Sequence, residues 1–158
     1  ADITEIGDYA FAECSNLQDI SIPSSTKCIG AHAFEGCVAL SDVSLWNAGI
    51  IGNYAFAGCT ALTDISIPSD TSVIGAPEFE GCTGITDLTI WDAAKIEEYA
   101  FAGCTGITKV TFYSDTETIG AHAFDGCVNL AEVTFWNDAI QVDSTAFMNC
   151  PKLDHTTN

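Results

Sequence analysis

The sequence predicts an α/β repeat fold, a solenoid of about seven coils with one short parallel strand and one short helix per coil. Three observations support this prediction: a constant period, apolar columns that keep their register, and a change of periodicity inside each unit. The period is set by copies of Phe-x-x-Cys that follow one another at steps of 22 or 23 residues. These copies are Phe11/Cys14, Phe34/Cys37, Phe56/Cys59, Phe79/Cys82, Phe101/Cys104, Phe124/Cys127 and Phe147/Cys150.

The predicted strand of each coil lies nine to eleven residues after the Phe. Aliphatic or aromatic residues occur there in pairs spaced by two, as in Ile20/Ile22 and Val43/Leu45. A spacing of two is typical of a strand with one buried face. Two more aliphatic columns, five residues before and six residues after the Phe, are expected to complete the core.

The predicted helix surrounds the Phe itself. In the stretch Gly30 to Cys37, the Cys follows the Phe by three residues and the Ala by four. Residues with these spacings can share one face of a helical turn. We therefore expect each coil to close with a short helix that packs on the core opposite the strand.

The combined pattern resembles a known repeat family. Leu17 to Pro23 reads Leu-x-x-Ile-x-Ile-Pro, and Ile29 to Cys37 reads Ile-Gly-x-x-Ala-Phe-x-x-Cys; both recur from Leu62 to Cys82. This pattern resembles the leucine-rich repeats of the BspA-like (Treponema pallidum) class over almost the whole chain. The resemblance implies a leucine-rich-repeat solenoid from a bacterial or protist surface protein, often linked to adhesion, and it brings no catalytic residues. Local departures are Glu78 in place of Ala, and Glu97 and Asp143 in place of Gly.

Domain organisation follows from the uninterrupted repeat. Residues 1–158 are predicted to form a single solenoid domain, because no Pro/Gly/Ser-rich linker or charge block divides them. No stretch approaches the roughly 20 apolar residues of a membrane span. The chain begins without Met and in mid-coil, so we interpret it as a mature product or as a segment of a longer chain.

The charge balance is strongly acidic. The chain has 22 acidic residues, four lysines and no arginine, which gives a net charge of -18. This argues against nucleic acid, whose phosphates require a basic surface, and against anionic membranes. A solubilising surface explains the charge most simply, and a cation or a basic partner is the alternative.

Eight cysteines would ordinarily suggest a disulfide framework. Seven of them keep the register of core residues, which favours a buried column of small, free thiols. A zinc site needs four ligands that converge on one point, whereas a column spreads its sulfur atoms along an axis. Cys28 lies outside the column and is expected to be an incidental thiol.

Two outward columns are the candidate binding surfaces. The first is an acidic row on the strands, which consists of Asp19, Asp42, Asp64 and Asp87. This row is expected to face solvent beside a row of hydroxyl side chains. Such oxygen-rich rows could bind calcium, but no calcium-loop motif is present, and a solvated strand face is the simpler interpretation.

The second column is aromatic and directly follows the strands: Trp46, Trp91, Tyr113 and Trp136. These rings either cover the edge of the core or form a binding row. Rings in alternate coils would lie about 10 Å apart, a spacing that suits stacking on a polysaccharide or anchoring a protein partner. The residue before Ala-Phe alternates in the same way between Tyr and His or Pro.

Two functional hypotheses remain. The first is a non-enzymatic extracellular or cell-surface repeat protein that binds a protein or glycan in an adhesion-type role. The second is a structural subunit, with copies of itself as partners, in an extracellular filament or assembly built by solenoid stacking. No catalytic, cofactor or metal residues are predicted, because no nucleophile, base and orienting group are brought together by the pattern.

Overall fold

Two ladders of short parallel strands wind along the protein, and most turns of the chain contribute one strand to each ladder. The computed structural model describes residues 2–45, 48–65, 67, 73–91, 93–113, 115–154 and 156–157. Over these residues the chain forms a β-solenoid of about six turns. Each turn runs from one Phe-bearing unit to the next, so the seven units enclose six turns.

The first ladder, called the short ladder, consists of two-residue strands that contain the aliphatic residue five positions before each Phe. Its strands are β1 (Glu5–Ile6), β3 (Cys28–Ile29), β5 (Ile50–Ile51), β6 (Val73–Ile74), β8 (Lys95–Ile96), β10 (Thr118–Ile119) and β12 (Gln141–Val142). The second, called the long ladder, contains the predicted strands. Its members are β2 (Asp19–Ser21), β4 (Asp42–Ser44), β7 (Asp87–Ile90), β9 (Lys109–Phe112), β11 (Glu132–Phe135) and β13 (Thr156–Thr157).

Wherever neighbouring strands of a ladder are paired, equivalent residues of successive turns are direct partners. Over the described residues, each ladder is divided into two sheets, between β5 and β6 in the short ladder and between β4 and β7 in the long ladder. Ile20 pairs with Val43, and Ile6 pairs with Ile29, always in parallel. The predicted stacking of parallel strands is therefore confirmed. The prediction of one strand per coil missed the short ladder, because a strand of two residues is too short to show an alternating pattern.

The predicted helix is wrong, and with it the α/β class: the described residues contain no helix. The stretch around Phe34 is instead a run of tight turns. Its Ala33 N–H donates to the carbonyl of Gly30 at 3.3 Å, and its Cys37 N–H donates to the carbonyl of Phe34 at 3.2 Å. These bonds span three residues, whereas an α-helix needs bonds that span four.

Hydrogen bonds between turns explain why no helix forms. The Phe34 N–H donates to the carbonyl of Ala55 in the next turn at 2.7 Å, so it is not available within its own segment. The N–H groups of His32 and Gly36 also donate to carbonyls of the next turn. Both residues have left-handed backbone conformations, with φ of 58 and 72. Left-handed residues interrupt a right-handed helix. The glycine two residues after the Phe recurs with φ of 70 to 75 at Gly36, Gly58, Gly81, Gly103 and Gly126.

The core is built from columns of identical side chains stacked along the solenoid axis. Neighbouring Phe rings lie face to face, with centroids 5.2 Å apart for Phe34 and Phe56 and 5.4 Å apart for Phe56 and Phe79. The rings from Phe34 to Phe124 are fully buried, and the two outermost rings are half-buried. Burial of this stack and of the flanking aliphatic columns stabilises the fold through the hydrophobic effect.

A thiol column runs beside the Phe stack, and the prediction of free thiols is confirmed for all eight cysteines. Each inner thiol also donates a hydrogen bond to the Phe carbonyl of the preceding turn. Cys59 reaches the carbonyl of Phe34 at 3.1 Å, and Cys82 reaches that of Phe56 at 3.0 Å. The cysteines therefore link successive turns as well as filling space, a role that the spacing alone did not indicate.

Candidate binding surface

The predicted acidic row follows the long ladder but is not continuous. Asp19 on β2 and Asp42 on β4 are direct partners, and both are exposed. Asp64 is exposed and lies outside an assigned strand. Asp87 on β7 is also exposed, but its partner on β9 is Lys109, not another acid.

Lys109 divides the acidic surface in electrostatic terms. Its Nζ lies 3.5 Å from Oε1 of Glu132 on the next strand, and its register partner on the preceding strand is Asp87. Asp19 and Asp42 have no such cation between them in register, and like charges directly opposite each other destabilise a strand pair. Within the described ranges, no group of three or more His, Cys, Asp or Glu side chains converges in a way that could hold a metal ion.

The aromatic column forms a stacked row, called the Trp row, that consists of Trp91, Tyr113 and Trp136. Ring centroids are 4.2 Å apart for the first pair and 5.8 Å apart for the second, with planes within 11°. Trp91 is 51% exposed and Trp136 is 67% exposed, while Tyr113 between them is half-buried. The row is therefore a continuous stack with an exposed tryptophan at each end. Trp46, predicted as part of this column, lies outside the described residues.

A second aromatic row occupies the turns that follow the short ladder. This Tyr/His row consists of Tyr9, His32, Tyr54, Tyr99 and His122. The imidazole of His32 lies between two phenol rings, with centroids 4.5 Å from Tyr9 and 4.9 Å from Tyr54. All five residues have left-handed backbones, with φ between 55 and 60.

Each histidine of the Tyr/His row is paired with an acid three residues later. Nδ1 of His32 lies 2.5 Å from Oε2 of Glu35, and Nδ1 of His122 lies 2.8 Å from Oδ2 of Asp125. A hydrogen bond from Asn149 and, to a lesser degree, the contact with His122 hold the pKa of Asp125 below its ordinary value. The sequence pattern showed the alternation of Tyr and His but not this pairing.

The fourth turn departs from the others at Glu78. Its side chain is fully buried where the other inner turns carry a buried alanine. Oε2 accepts a hydrogen bond from the Gly75 N–H at 2.6 Å, and Oε1 has no partner. Burial raises the pKa of this carboxyl well above its ordinary value, and the Gly75 hydrogen bond opposes the rise only in part.

Because the Gly75 N–H donates to Glu78, it does not make the hydrogen bond between turns that the equivalent N–H makes in other turns. In those turns the equivalent N–H donates to an isoleucine carbonyl of the preceding turn, as from Gly52 to Ile29 at 2.8 Å and from Gly120 to Ile96 at 2.8 Å. The substitution of Glu78 for Ala was visible in the sequence. The sequence did not show that this substitution removes a hydrogen bond from the short ladder, because the acceptor of the Gly75 N–H is known only from the structure.

The family model of the BspA-type leucine-rich repeat region matches residues 1–105 and 46–154, with six copies of the repeat. The comparison with curated proteins gives no significant match. Among the described residues, none forms a helix that could span a membrane.

Three solved structures of bacterial proteins are similar to this chain. The Treponema pallidum leucine-rich repeat protein is 26% identical, with a TM-score of 0.81 over 96% of this chain and 72% of that one. A leucine-rich repeat protein from Eubacterium ventriosum is 23% identical, with a TM-score of 0.69 over 84% of this chain and 42% of that one. The pneumococcal vaccine antigen PcpA is 20% identical, with a TM-score of 0.62 over 82% of this chain but only 32% of its own. The repeat match and the shared solenoid confirm the resemblance: the chain belongs to the BspA-type leucine-rich repeat family.

Proposed function

We propose that this protein is a non-enzymatic binding module, displayed outside the cell or on its surface, that captures a ligand on the Trp row. The observation that carries the proposal is the exposure of Trp91 and Trp136, which are 51% and 67% exposed and held in one stack with Tyr113. Large aromatic side chains left in water are costly, and Trp and Tyr are favoured anchors of interfaces.

The geometry of the Trp row favours a protein ligand over a polysaccharide. Stacking of sugar rings requires free aromatic faces, but the faces between neighbouring rings of the Trp row cover one another at 4.2 and 5.8 Å. The exposed parts of Trp91 and Trp136 suit insertion into an apolar pocket of a protein. The net charge of -18 further favours a ligand with a basic surface, because complementary charge speeds association.

Membership of the BspA-type family supports display at the cell surface and an adhesion-type role. The same membership supports a role without catalysis, since the resemblance brings no catalytic residues. The two surface histidines also have an evident structural use, because each stacks on tyrosine and pairs with an acid.

The test measures binding of the purified protein to an array of extracellular proteins and, separately, to a glycan array. Ligands found in this way are then titrated against the double variant Trp91→Ala plus Trp136→Ala. We expect the double variant to lose at least about tenfold in affinity, which corresponds to about 1.4 kcal/mol. The matched control is Ile50→Ala, because Ile50 is 65% exposed on the short ladder, away from the Trp row in the repeat.

Three outcomes decide between the alternatives. Loss of protein binding in the double variant alone supports the proposal. Binding of glycans with the same dependence on the Trp row replaces the protein ligand by a polysaccharide. Equal affinity of the double variant and the native protein, or filaments seen by negative-stain microscopy with the Trp row buried between copies, would contradict the proposal and favour the structural subunit.

A further inference from the structure

The Tyr/His row is interrupted in the fourth turn, where Pro77 takes the position of His32 and His122. A tyrosine remains on each side of the interruption: Tyr54 in the preceding turn and Tyr99 in the following one. The acid three residues later also remains, as Glu80. The fourth turn thus keeps the surroundings of an imidazole but lacks the imidazole.

A cavity lies at this position. Its volume is about 350 Å³, and it is lined by Tyr54, Ala76, Pro77, Glu80, Glu98 and Tyr99. Small-ligand sites begin at roughly 300 Å³. We call this cavity the Pro77 slot. Proline cannot fill it as histidine does, since its ring is closed onto the backbone and its φ cannot reach the left-handed value that His32 adopts.

The spacing of the slot matches one aromatic ring. Tyr54 and Tyr99 are two turns apart, which is about 10 Å at the ordinary strand spacing. The imidazole of His32, which lies between two tyrosines in the same arrangement, has centroid distances of 4.5 and 4.9 Å. The same molecule therefore shows which group fits between such tyrosines and how its nitrogen meets the acid.

The electrostatics of the slot favour a cationic ring. Two carboxylates, Glu80 and Glu98, line it with no cation among its lining residues. Among the described residues, no ion pair is formed by the side-chain carboxylate of Glu80 or of Glu98. Tyrosine faces attract a cation placed over them, and a carboxylate accepts a strong hydrogen bond from a charged N–H donor.

We propose that the Pro77 slot binds the histidine side chain of a basic partner protein, with the imidazolium stacked between Tyr54 and Tyr99 and donating to Glu80. The partner is basic because the surface it approaches belongs to a chain with net charge -18 and no arginine. This site is separate from the Trp row, so it does not depend on the function proposed for that row.

The experiment is a titration at pH 6 with a short lysine-rich peptide that carries one central histidine, monitored by the NMR signals of the Tyr54 and Tyr99 rings. The matched peptide has alanine in place of the histidine and reports attraction to the acidic surface alone. We expect the histidine peptide to bind about tenfold more tightly, the factor that a cation–π contact and a charge-assisted hydrogen bond supply together.

Two variants make the test specific. Pro77→His fills the slot with the protein's own imidazole and should abolish the preference for the histidine peptide. Glu80→Gln removes the acceptor charge and should reduce the preference, and it keeps the proposal testable if Pro77→His fails to fold. Glu35→Gln is the matched control, because it alters the already occupied position beside His32 and should leave the preference unchanged.

Several results would overturn the proposal. Equal affinity of the native protein for the two peptides would leave only attraction to the acidic surface. A folded Pro77→His variant that keeps the preference would place the binding elsewhere. A peptide with arginine in place of the histidine that binds as tightly would make the slot a general cation site and overturn the assignment to imidazole.

Discussion

Replacement of Glu78 by alanine should stabilise the protein at neutral pH and destabilise it in acid. The carboxyl is fully buried, and burial raises its pKa well above the ordinary value of 4.5. For an acid whose pKa is higher in the folded state, stability is fully present below the unfolded pKa and is lost as pH rises toward the folded pKa. The native protein therefore becomes less stable, relative to the variant, above about pH 4.5.

The size of the effect follows from the structure. Each unit by which the pH exceeds the unfolded pKa costs the native protein about 1.4 kcal/mol, until the folded pKa is reached. The variant loses two buried methylenes, worth about 1.6 kcal/mol. In return, the Gly75 N–H is free to donate to the Ile51 carbonyl, as the equivalent groups do in other turns. We expect Glu78→Ala to be about 1.6 kcal/mol less stable than the native protein at pH 4. We expect it to be more stable than the native protein at pH 7, because the cost of the buried carboxylate exceeds that loss once the pH is more than about one unit above the unfolded pKa.

Urea unfolding at pH 4, 5.5 and 7 measures this difference under reducing conditions. Both proteins carry the repulsion of the other acids, so only the difference between their free energies of unfolding reports Glu78. Glu78→Gln is the matched control, because it keeps the shape of the side chain and removes its titration. A difference between Glu78→Ala and the native protein that does not change with pH would refute the reasoning, since it would mean that Glu78 is not held protonated.

Three further predictions concern the thiols, the turn glycines and the strand charges. Iodoacetamide should label Cys14 in the folded protein but Cys59 only after unfolding, because Cys14 is exposed while burial raises the pKa of Cys59 to about 12. Mass spectrometry of timed samples measures the labelling of each cysteine, and equal rates would contradict the prediction. Gly81→Ala should lower the free energy of unfolding by about 1–2 kcal/mol, since φ is +71 there. In Gly7→Ala the added Cβ meets no atom within 4 Å, so this variant should be neutral or slightly stabilising in urea unfolding. Lys109→Asp should lower stability by about 1 kcal/mol by placing acids side by side along the long ladder, and this loss should shrink in 1 M salt; a loss independent of salt would point to packing instead.

The sequence pattern predicted the aromatic columns but not how their rings are arranged. The pattern placed Trp91, Tyr113 and Trp136 in one column, and the structure stacks them as a row. It did not show that the ring faces cover one another, because ring orientation depends on contacts between turns. The Pro77 slot was equally hidden: Pro77 and Glu80 are visible in the sequence, but their meaning comes from the tyrosines 22 or 23 residues away on either side.

The sequence by itself determined the repeat, the stacked Phe and Cys columns, the parallel register and the family, because all of these follow from side chains that recur at a fixed step. The tertiary structure alone decided the backbone of the Ala-Phe-x-x-Cys segment. That spacing suits one face of a helix and a run of turns equally well. The turns form because the Phe34 N–H bonds to Ala55 in the next coil and because His32 adopts φ of 58. Neither choice can be read locally, since a hydrogen bond to a neighbouring turn exists only once that turn is in place.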